Sequence, residues 1–104
     1  MPSERLEKLK ALVTENPKES FLRYGLAMEY RNTGDLETAM REFREVIAAN
    51  PDYVAAYFHG GQTLERLGEL EQARTLYQDG IEASRRTGDA HARGELEAAL
   101  SMLG

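Results

Sequence analysis

The chain has 104 residues, of which 41% are hydrophobic and 30% are charged, and it contains no cysteine. This length allows one compact domain or a short repeat array, and the composition is typical of a folded globular chain rather than a disordered one. The formal net charge of −5 disfavours binding to nucleic acid or to a membrane surface, because both require an excess of lysine and arginine. The absence of cysteine excludes disulfides, thiolate metal sites and a cysteine nucleophile.

The mix of residues favours helices. Alanine and leucine number 13 each, whereas valine and isoleucine together number five. Alanine and leucine lose little rotamer freedom in a helix, and the β-branched residues lose more. No apolar run approaches the roughly 20 residues that cross a bilayer, and the first ten residues carry charges where a secretory signal would be apolar. We therefore expect an all-α protein in the cytoplasm that does not contact a membrane.

Prolines and glycines divide the chain into six predicted helices. In chain order, these helices span residues 3–15, 18–32, 36–49, 52–66, 70–86 and 89–103. Pro17 and Pro51 stand near two helix starts, where the missing N–H group loses no partner. Three glycines that can adopt positive φ mark helix ends, namely Gly34, Gly68 and Gly88. Asp35 and Asp89 follow two of these glycines and are predicted N-caps.

The sequence repeats itself at a spacing of 34 residues. Comparison of residues 17–50 with residues 51–84 gives seven identities without a gap, where roughly two are expected at average composition. The string Gly-Asp-Leu-Glu at 34–37 returns as Gly-Glu-Leu-Glu at 68–71. A fixed period of this length is typical of stacked helical repeats, in which each helical pair buries its apolar side chains against the next pair.

The period also predicts how a single domain over residues 1–104 is organised. It comprises an N-terminal half-repeat helix at 3–16, a first repeat at 17–50, a second repeat at 51–84 and a C-terminal capping helix at 85–104. Small residues allow the helix axes to approach each other closely, with large aromatic side chains filling the space opposite. These small residues are Ala27, Ala39, Gly60, Gly61 and Ala73.

Together these features resemble the tetratricopeptide repeat family, whose 34-residue unit places small and aromatic residues at fixed positions on two helices. The first repeat carries Leu26-Ala27, Tyr30, Gly34, Ala39, Phe43, Val46 and Pro51 at those positions. The second carries Tyr57, Gly60-Gly61, Leu64, Gly68, Ala73, Tyr77 and Gly80. The resemblance implies a right-handed superhelix of two helical hairpins with one extra helix at each end. It also implies a scaffold rather than an enzyme, with a concave surface that binds a peptide or helix of a partner protein.

Transferred position by position, the resemblance places the partner-binding residues on the first helix of each repeat. They are Phe21, Tyr24, Met28 and Arg31 from the first repeat, and Phe58, His59, Gln62 and Glu65 from the second. The stripe of Phe21, Tyr24 and Met28 suits either a hydrophobic anchor for the partner or packing against the N-terminal helix, and both alternatives stay open. Phe58 is the strongest single candidate, because polar residues continue its helix face. The closing helix adds Ala92 or Arg93.

Metal binding and catalysis find little support. The two histidines are His59 and His91, and His91 with Glu95 at i, i+4 supplies two ligands. Structural zinc takes four protein ligands and catalytic zinc three. The Gly60-Gly61 pair is not followed by the lysine and hydroxyl residue of a phosphate-binding loop. We therefore expect no metal, no cofactor and no enzymatic activity.

An alternative function is self-association. Two repeats are fewer than the three that such arrays usually need for stability, so the end helices act either as caps or as interfaces. Caps predict a monomer. Interfaces predict a weak homodimer and a structural assembly scaffold, because the small Ala90, Ala98 and Ala99 of the last helix let a second copy approach.

Overall fold

A computed structural model describes residues 3–104, and every regular element in this range is an α-helix. The helices are α1 (Glu4–Glu15), α2 (Ser20–Asn32), α3 (Leu36–Ala49), α4 (Val54–Arg66), α5 (Leu70–Thr87) and α6 (Ala90–Met102). Successive helices pack against each other as antiparallel neighbours. The predicted all-α fold of six helices is confirmed.

Helices α2 and α4 begin two residues later than predicted, because each Asn-Pro pair forms a turn before the helix. The carbonyl oxygen of Asn16 accepts a hydrogen bond from the backbone N–H of Glu19 at 3.1 Å, and that of Asn50 accepts one from Tyr53 at 3.0 Å. Proline at the second position of such a turn matches its fixed φ. The prolines therefore open turns, and the helices start only after these turns close.

The predicted glycine ends and aspartate caps are confirmed. Gly34, Gly68 and Gly88 have φ values of 91°, 79° and 71°, a region that residues with a Cβ atom rarely adopt. The carboxylate of Asp35 accepts a hydrogen bond from the backbone N–H three residues ahead at 3.2 Å, and that of Asp89 accepts one at 3.0 Å. These caps satisfy N–H groups that a helix start otherwise leaves unpaired.

The helices form two layers of unequal spacing. The backbone of α4 approaches those of both α2 and α6, whereas among the described residues the backbones of α1, α3 and α5 do not approach one another. Helices α3 and α5 meet through side chains, since Nη2 of Arg44 donates a hydrogen bond to Oε1 of Gln72 at 3.0 Å. In a curved stack of two layers, the elements of the inner layer lie closer together than those of the outer layer. We therefore assign the concave surface to α2, α4 and α6, and the convex surface to α1, α3 and α5.

The main core lies between these layers and contains the aromatic residues of the two repeats. Phe43 and Tyr77, which stand 34 residues apart, are both 0% exposed. A Cβ atom added at Gly61 would overlap the ring of Tyr77, and one added at Gly80 would lie 2.6 Å from Cβ of Tyr57. The helix glycines therefore permit the close approach that was predicted for the small residues.

A second, smaller cluster joins α1 to α2, and we call it the α1 cluster. It is built on the buried side chains of Leu6, Val13 and Leu26, with Leu9 and Leu22 packed around them. Helix α1 thus covers one flank of the first helical hairpin. No helix within residues 3–104 combines the length and apolar character needed to cross a bilayer, and the cytoplasmic location stays a prediction.

Candidate partner-binding surface

The concave layer brings together side chains from α2 and α4. The ring centroid of Tyr24 on α2 lies 6.0 Å from that of His59 on α4 and 5.2 Å from that of Tyr53. Towards the C-terminal ends of the same two helices, Nη2 of Arg31 on α2 donates a hydrogen bond to Oε1 of Gln62 on α4 at 3.3 Å. Four of the eight residues predicted to bind a partner therefore lie side by side across the α2–α4 boundary.

The structure also distinguishes the two roles that the sequence left open for Phe21, Tyr24 and Met28. Tyr24 and Met28 are half-buried against the main core, and neither belongs to the α1 cluster. Phe21 is 71% exposed in the first turn of α2. The stripe is therefore not part of the cluster that α1 covers.

His59 lies in an electrostatically mixed environment. Burial and the nearby guanidinium of Arg31 lower the pKa of His59, against smaller opposing effects from Glu95 on α6 and from Gln62. Within residues 3–104, Nδ1 of His59 and Nε of Arg31 are both buried without a hydrogen-bond partner. The imidazole is therefore neutral at pH 7, and the positive charge at this point of the surface belongs to Arg31.

Glu65 differs from the other predicted residues because it is tied to the core. The hydroxyl of Tyr77 on α5 donates a hydrogen bond to its carboxylate. Burial, and then this carboxylate, raise the pKa of Tyr77 well above its usual value. Glu65 thus satisfies a buried hydroxyl, and its side chain is held in a fixed position on the surface.

A cavity of about 290 Å³ opens between α4 and α6, and we call it the α4–α6 cavity. Its lining residues are Val54, Ala55, Phe58, His59, Asp89, His91, Ala92 and Glu95. The ring of Phe58 packs edge-on against that of His59, with centroids 5.2 Å apart. Two predicted site residues, Phe58 and His59, therefore form one wall of this cavity.

Sequence reasoning missed most of the opposite wall, which α6 supplies. Ala92 lines the cavity as predicted, whereas Arg93 is directed to an ion pair with Glu97 at 3.9 Å and does not line it. The acidic side chains of Asp89 and Glu95 were not predicted as site residues. Helix α6 does not follow the 34-residue pattern, so no position of the repeat pointed to them. The signal for Glu95 was its i, i+4 spacing from His91, and Asp89 was predicted as an N-cap rather than as a site residue.

That spacing does place two side chains together, since Nε2 of His91 lies 3.1 Å from Oε1 of Glu95. Across residues 3–104, however, no group of three or more histidine, aspartate or glutamate side chains is arranged to hold a metal ion. The pair is therefore an exposed helix-surface contact.

Antiparallel helical pairs that stack into a concave and a convex layer are typical of the class of helical-repeat proteins. Residues 30–100 match the sequence pattern of the tetratricopeptide repeat family, and the chain belongs to this family. The predicted family is thus confirmed, and with it a generic protein-interaction module that implies protein partners. Members of the family are generally without catalytic activity. The division into repeats at 17–50 and 51–84 stays a prediction.

Relatives and solved structures agree with this assignment. A tetratricopeptide repeat-containing protein of Pseudomonas aeruginosa is 30% identical over 103 residues, which is 99% of this chain and 95% of the relative. The crystal structure of a tetratricopeptide repeat domain protein from Salinibacter ruber is 34% identical, covers 82% of this chain and 94% of its own, and has a TM-score of 0.77. The crystal structure of PcrH in complex with the chaperone binding region of PopD is 15% identical, covers 94% of this chain and 74% of its own, and has a TM-score of 0.88, a likeness of fold alone.

Proposed function

We propose that the concave surface of α2, α4 and α6 binds a peptide or helix of a partner protein. The observation that carries this proposal is the convergence of aromatic and polar side chains from two helices on the inner layer. The rings of Tyr24 and His59 lie 6.0 Å apart, tilted by 57°, across the α2–α4 boundary, and Arg31 donates a hydrogen bond to Gln62 beside them. Such a mixture of aromatic surface and fixed polar groups suits a binding surface for a protein segment.

Each group has a physical role in this proposal. Phe58 and the exposed edge of Tyr24 offer large apolar areas that lose little side-chain entropy on binding. Met28 adapts its shape to different apolar side chains. Phe21, which is 71% exposed, extends the apolar area at one end of α2. The Arg31–Gln62 pair supplies hydrogen-bonding groups that fix the register of the bound segment.

The fold of PcrH supports the same interpretation, since that protein carries a bound region of PopD on a similar helical array. The proposal contains no catalytic step, no metal and no cofactor. Partner binding depends instead on the burial of apolar area and on the few polar groups that the two helices hold in place.

The test uses alanine at two positions of this surface and one on the opposite layer. Phe58→Ala and Phe21→Ala remove aromatic contacts, whereas Leu70→Ala removes an exposed apolar side chain from convex helix α5. We expect affinity capture from the native cell extract to lose the partner with the first two variants and to retain it with the third. Circular dichroism checks that all three remain helical. Unchanged recovery with Phe58→Ala and Phe21→Ala contradicts the proposal.

Self-association through the end helices is the second candidate, and two exposed side chains favour it. Leu12 on α1 is 40% exposed and Met102 on α6 is 89% exposed, so each end of the stack presents an uncovered apolar residue. In this case light scattering over a dilution series shows a mass above the 11.7 kDa of one chain, and Leu12→Glu or Met102→Glu restores the monomer. A mass that stays at one chain at every concentration excludes this candidate.

A further inference from the structure

We propose that the α4–α6 cavity binds the side chain of a lysine or arginine in the partner segment. This inference rests on the proposed function and specifies which chemistry one part of the concave surface recognises. A lysine or arginine side chain has an apolar stem and a cationic end, and the cavity offers a matching surface for each.

The apolar part of the cavity suits the stem. Val54, Ala55 and Phe58 on α4 face Ala92 on α6 across the opening. Long cationic side chains commonly lay their methylene groups along apolar surface of this kind while the charged end reaches polar groups. The Phe58 ring adds the attraction between a cation and an aromatic face.

The polar part of the cavity carries two carboxylates, and among residues 3–104 neither is paired with a lysine or an arginine. Asp89 and Glu95 line it, and no lysine or arginine is among the lining residues. Among residues 3–104, the carboxylate of Asp89 accepts the backbone N–H of Ala92 at 3.0 Å, and Oε1 of Glu95 lies 3.1 Å from Nε2 of His91. The other histidine of the cavity, His59, has a lowered pKa and is neutral. The two carboxylates therefore remain available for a cationic group.

The shallower cavity next to it continues this charge pattern. It shares Val54, Ala55 and Asp89 with the α4–α6 cavity and has no lysine or arginine in its lining. It adds Asp52, whose carboxylate is paired with Nε of Arg86 at 3.1 Å, so the unpaired carboxylate that the two cavities share is that of Asp89. By contrast, the larger cavity on the convex side between α3 and α5, of about 410 Å³, includes both Arg44 and Arg86 as well as acidic residues. Charge complementarity thus favours a basic group on the concave side in particular.

The experiment starts with a selection of random peptides displayed on phage against the full chain, with Phe58→Ala as the counter-selection. The bound peptides are synthesised, and each lysine or arginine is replaced by norleucine, which keeps an apolar stem and removes the charge. Isothermal titration calorimetry then measures both forms against the unmodified protein. We expect one basic position at which norleucine weakens binding about tenfold, the size of effect known for hydrogen bonds to charged groups.

The cavity is tested by removing its charge without changing its shape. Asp89→Asn combined with Glu95→Gln removes both carboxylates, and asparagine still caps a helix. In this double variant we expect the lysine and norleucine peptides to bind equally. The matched control is Glu71→Gln with Glu97→Gln, two exposed residues on α5 and α6 outside the cavity lining, and here the tenfold difference should persist.

The outcomes separate this inference from the proposed function. Peptides that require Phe58 but contain no basic position sensitive to norleucine leave the proposed function intact and overturn the inference. The same holds if the difference between lysine and norleucine survives in the Asp89→Asn, Glu95→Gln variant. A selection that yields no peptide dependent on Phe58 contradicts both.

Discussion

Two glycines in the interiors of α5 and α6 have opposite surroundings. Gly80 on α5 faces Tyr57, and an added Cβ atom would lie 2.6 Å from Cβ of that residue and 3.1 Å from Cδ2 of Leu96. Gly94 on α6 has nothing within 4 Å of the same position. Cβ of Tyr57 is fixed to its backbone and cannot move aside by a change of rotamer. The first glycine is therefore required by packing, and the second is not.

The two alanine substitutions should change the free energy of unfolding in opposite directions. Gly94→Ala should stabilise the protein by about 0.5–1 kcal/mol, because alanine loses less backbone entropy in a helix. Gly80→Ala gains the same amount but overpacks the core, which typically costs 1–3 kcal/mol, so a net loss of about 1–2 kcal/mol is expected. Urea unfolding followed by circular dichroism measures both. Equal stabilisation by the two changes would show that α5 moves away from α4 at little cost.

His59 predicts a pH dependence of stability. Because burial and Arg31 lower its pKa in the folded protein, the unfolded chain binds a proton more readily than the folded chain does. The contribution of neutral His59 to the free energy of unfolding is therefore fully present above the ordinary histidine pKa of about 6.5. It is lost as the pH falls towards the lowered pKa that His59 has in the folded protein. Glu95 on α6 opposes this effect only in part.

The measurement compares urea midpoints at about pH 7.5 and at about pH 5.5. The lower pH lies below the ordinary pKa of histidine and above that of most carboxylates. The unmodified protein should lose more stability over this interval than His59→Gln, which has no imidazole to protonate. His91→Gln removes the exposed histidine and should follow the unmodified protein. An equal loss in all three would exclude His59 as the source.

At the scale of single elements, α6 depends on its first residues. It is the last helix of the stack, and only Leu96 among its residues is fully buried. Its N-terminal N–H groups rely on the carboxylate of Asp89, directly after Gly88 with its positive φ. A short end helix with few buried contacts gains a large share of its stability from such a cap.

Asp89→Ala should therefore lower the free energy of unfolding by about 1 kcal/mol, and Asp89→Asn should leave it almost unchanged, because asparagine caps as well as aspartate. Amide hydrogen exchange resolves the location of the effect. In Asp89→Ala, the first turn of α6 should exchange faster while α2 and α3 remain protected. A loss of stability equal in both variants would indicate that the charge of Asp89, rather than its capping hydrogen bond, stabilises the helix.

The elements were largely predictable because their ends depend on local chemistry. Asp35, Asp89 and the three turn glycines act through their own backbone neighbours, so the sequence alone predicted them. The starts of α2 and α4 were placed two residues early, because Pro17 is compatible both with the first turn of a helix and with the turn before it. The hydrogen bond from Glu19 to Asn16 decides between these possibilities, and proline position alone does not encode it.

At the scale of the whole molecule, the stack should unfold as one unit. Leu96 joins α6 to the core and is 0% exposed, with Cδ2 close to Gly80 on α5. Since each helical pair in residues 3–104 packs on its neighbours, the loss of one interface is transmitted to the next, and a stack of only six described helices has little reserve. The end helix therefore contributes to the stability of every repeat.

Leu96→Ala should destabilise the protein by about 2–5 kcal/mol, the usual range for removal of a buried leucine side chain. Met102→Ala on the same helix removes a side chain that is 89% exposed and should change stability by less than about 0.5 kcal/mol. Thermal unfolding followed by circular dichroism should show one transition in both variants. Two separate transitions in Leu96→Ala would show that α6 unfolds independently of the repeats.

For the proposed binding surface, the sequence predicted positions only where they follow the 34-residue period. Tyr24 and Phe58 occupy equivalent positions 34 residues apart, and the structure places both on the inner layer. Glu65 was predicted as a free polar contact, but its bond to Tyr77 depends on the distance between α4 and α5. The acidic wall of the α4–α6 cavity comes from a helix outside the period. Long-range pairs of this kind arise from packing and leave no local pattern.

The unequal spacing of the two layers has a mechanical consequence. Within the described residues, α3 and α5 are joined by long exposed side chains such as Arg44 and Gln72 rather than by close backbone packing. Small changes of curvature therefore alter the width of the gap between them at little cost in packing. The concave layer, by contrast, is closely packed, since α4 is in contact with both α2 and α6. The stack should therefore bend more easily on its convex side, and a bend of this kind changes the width of the proposed concave binding surface to suit partner segments of different size.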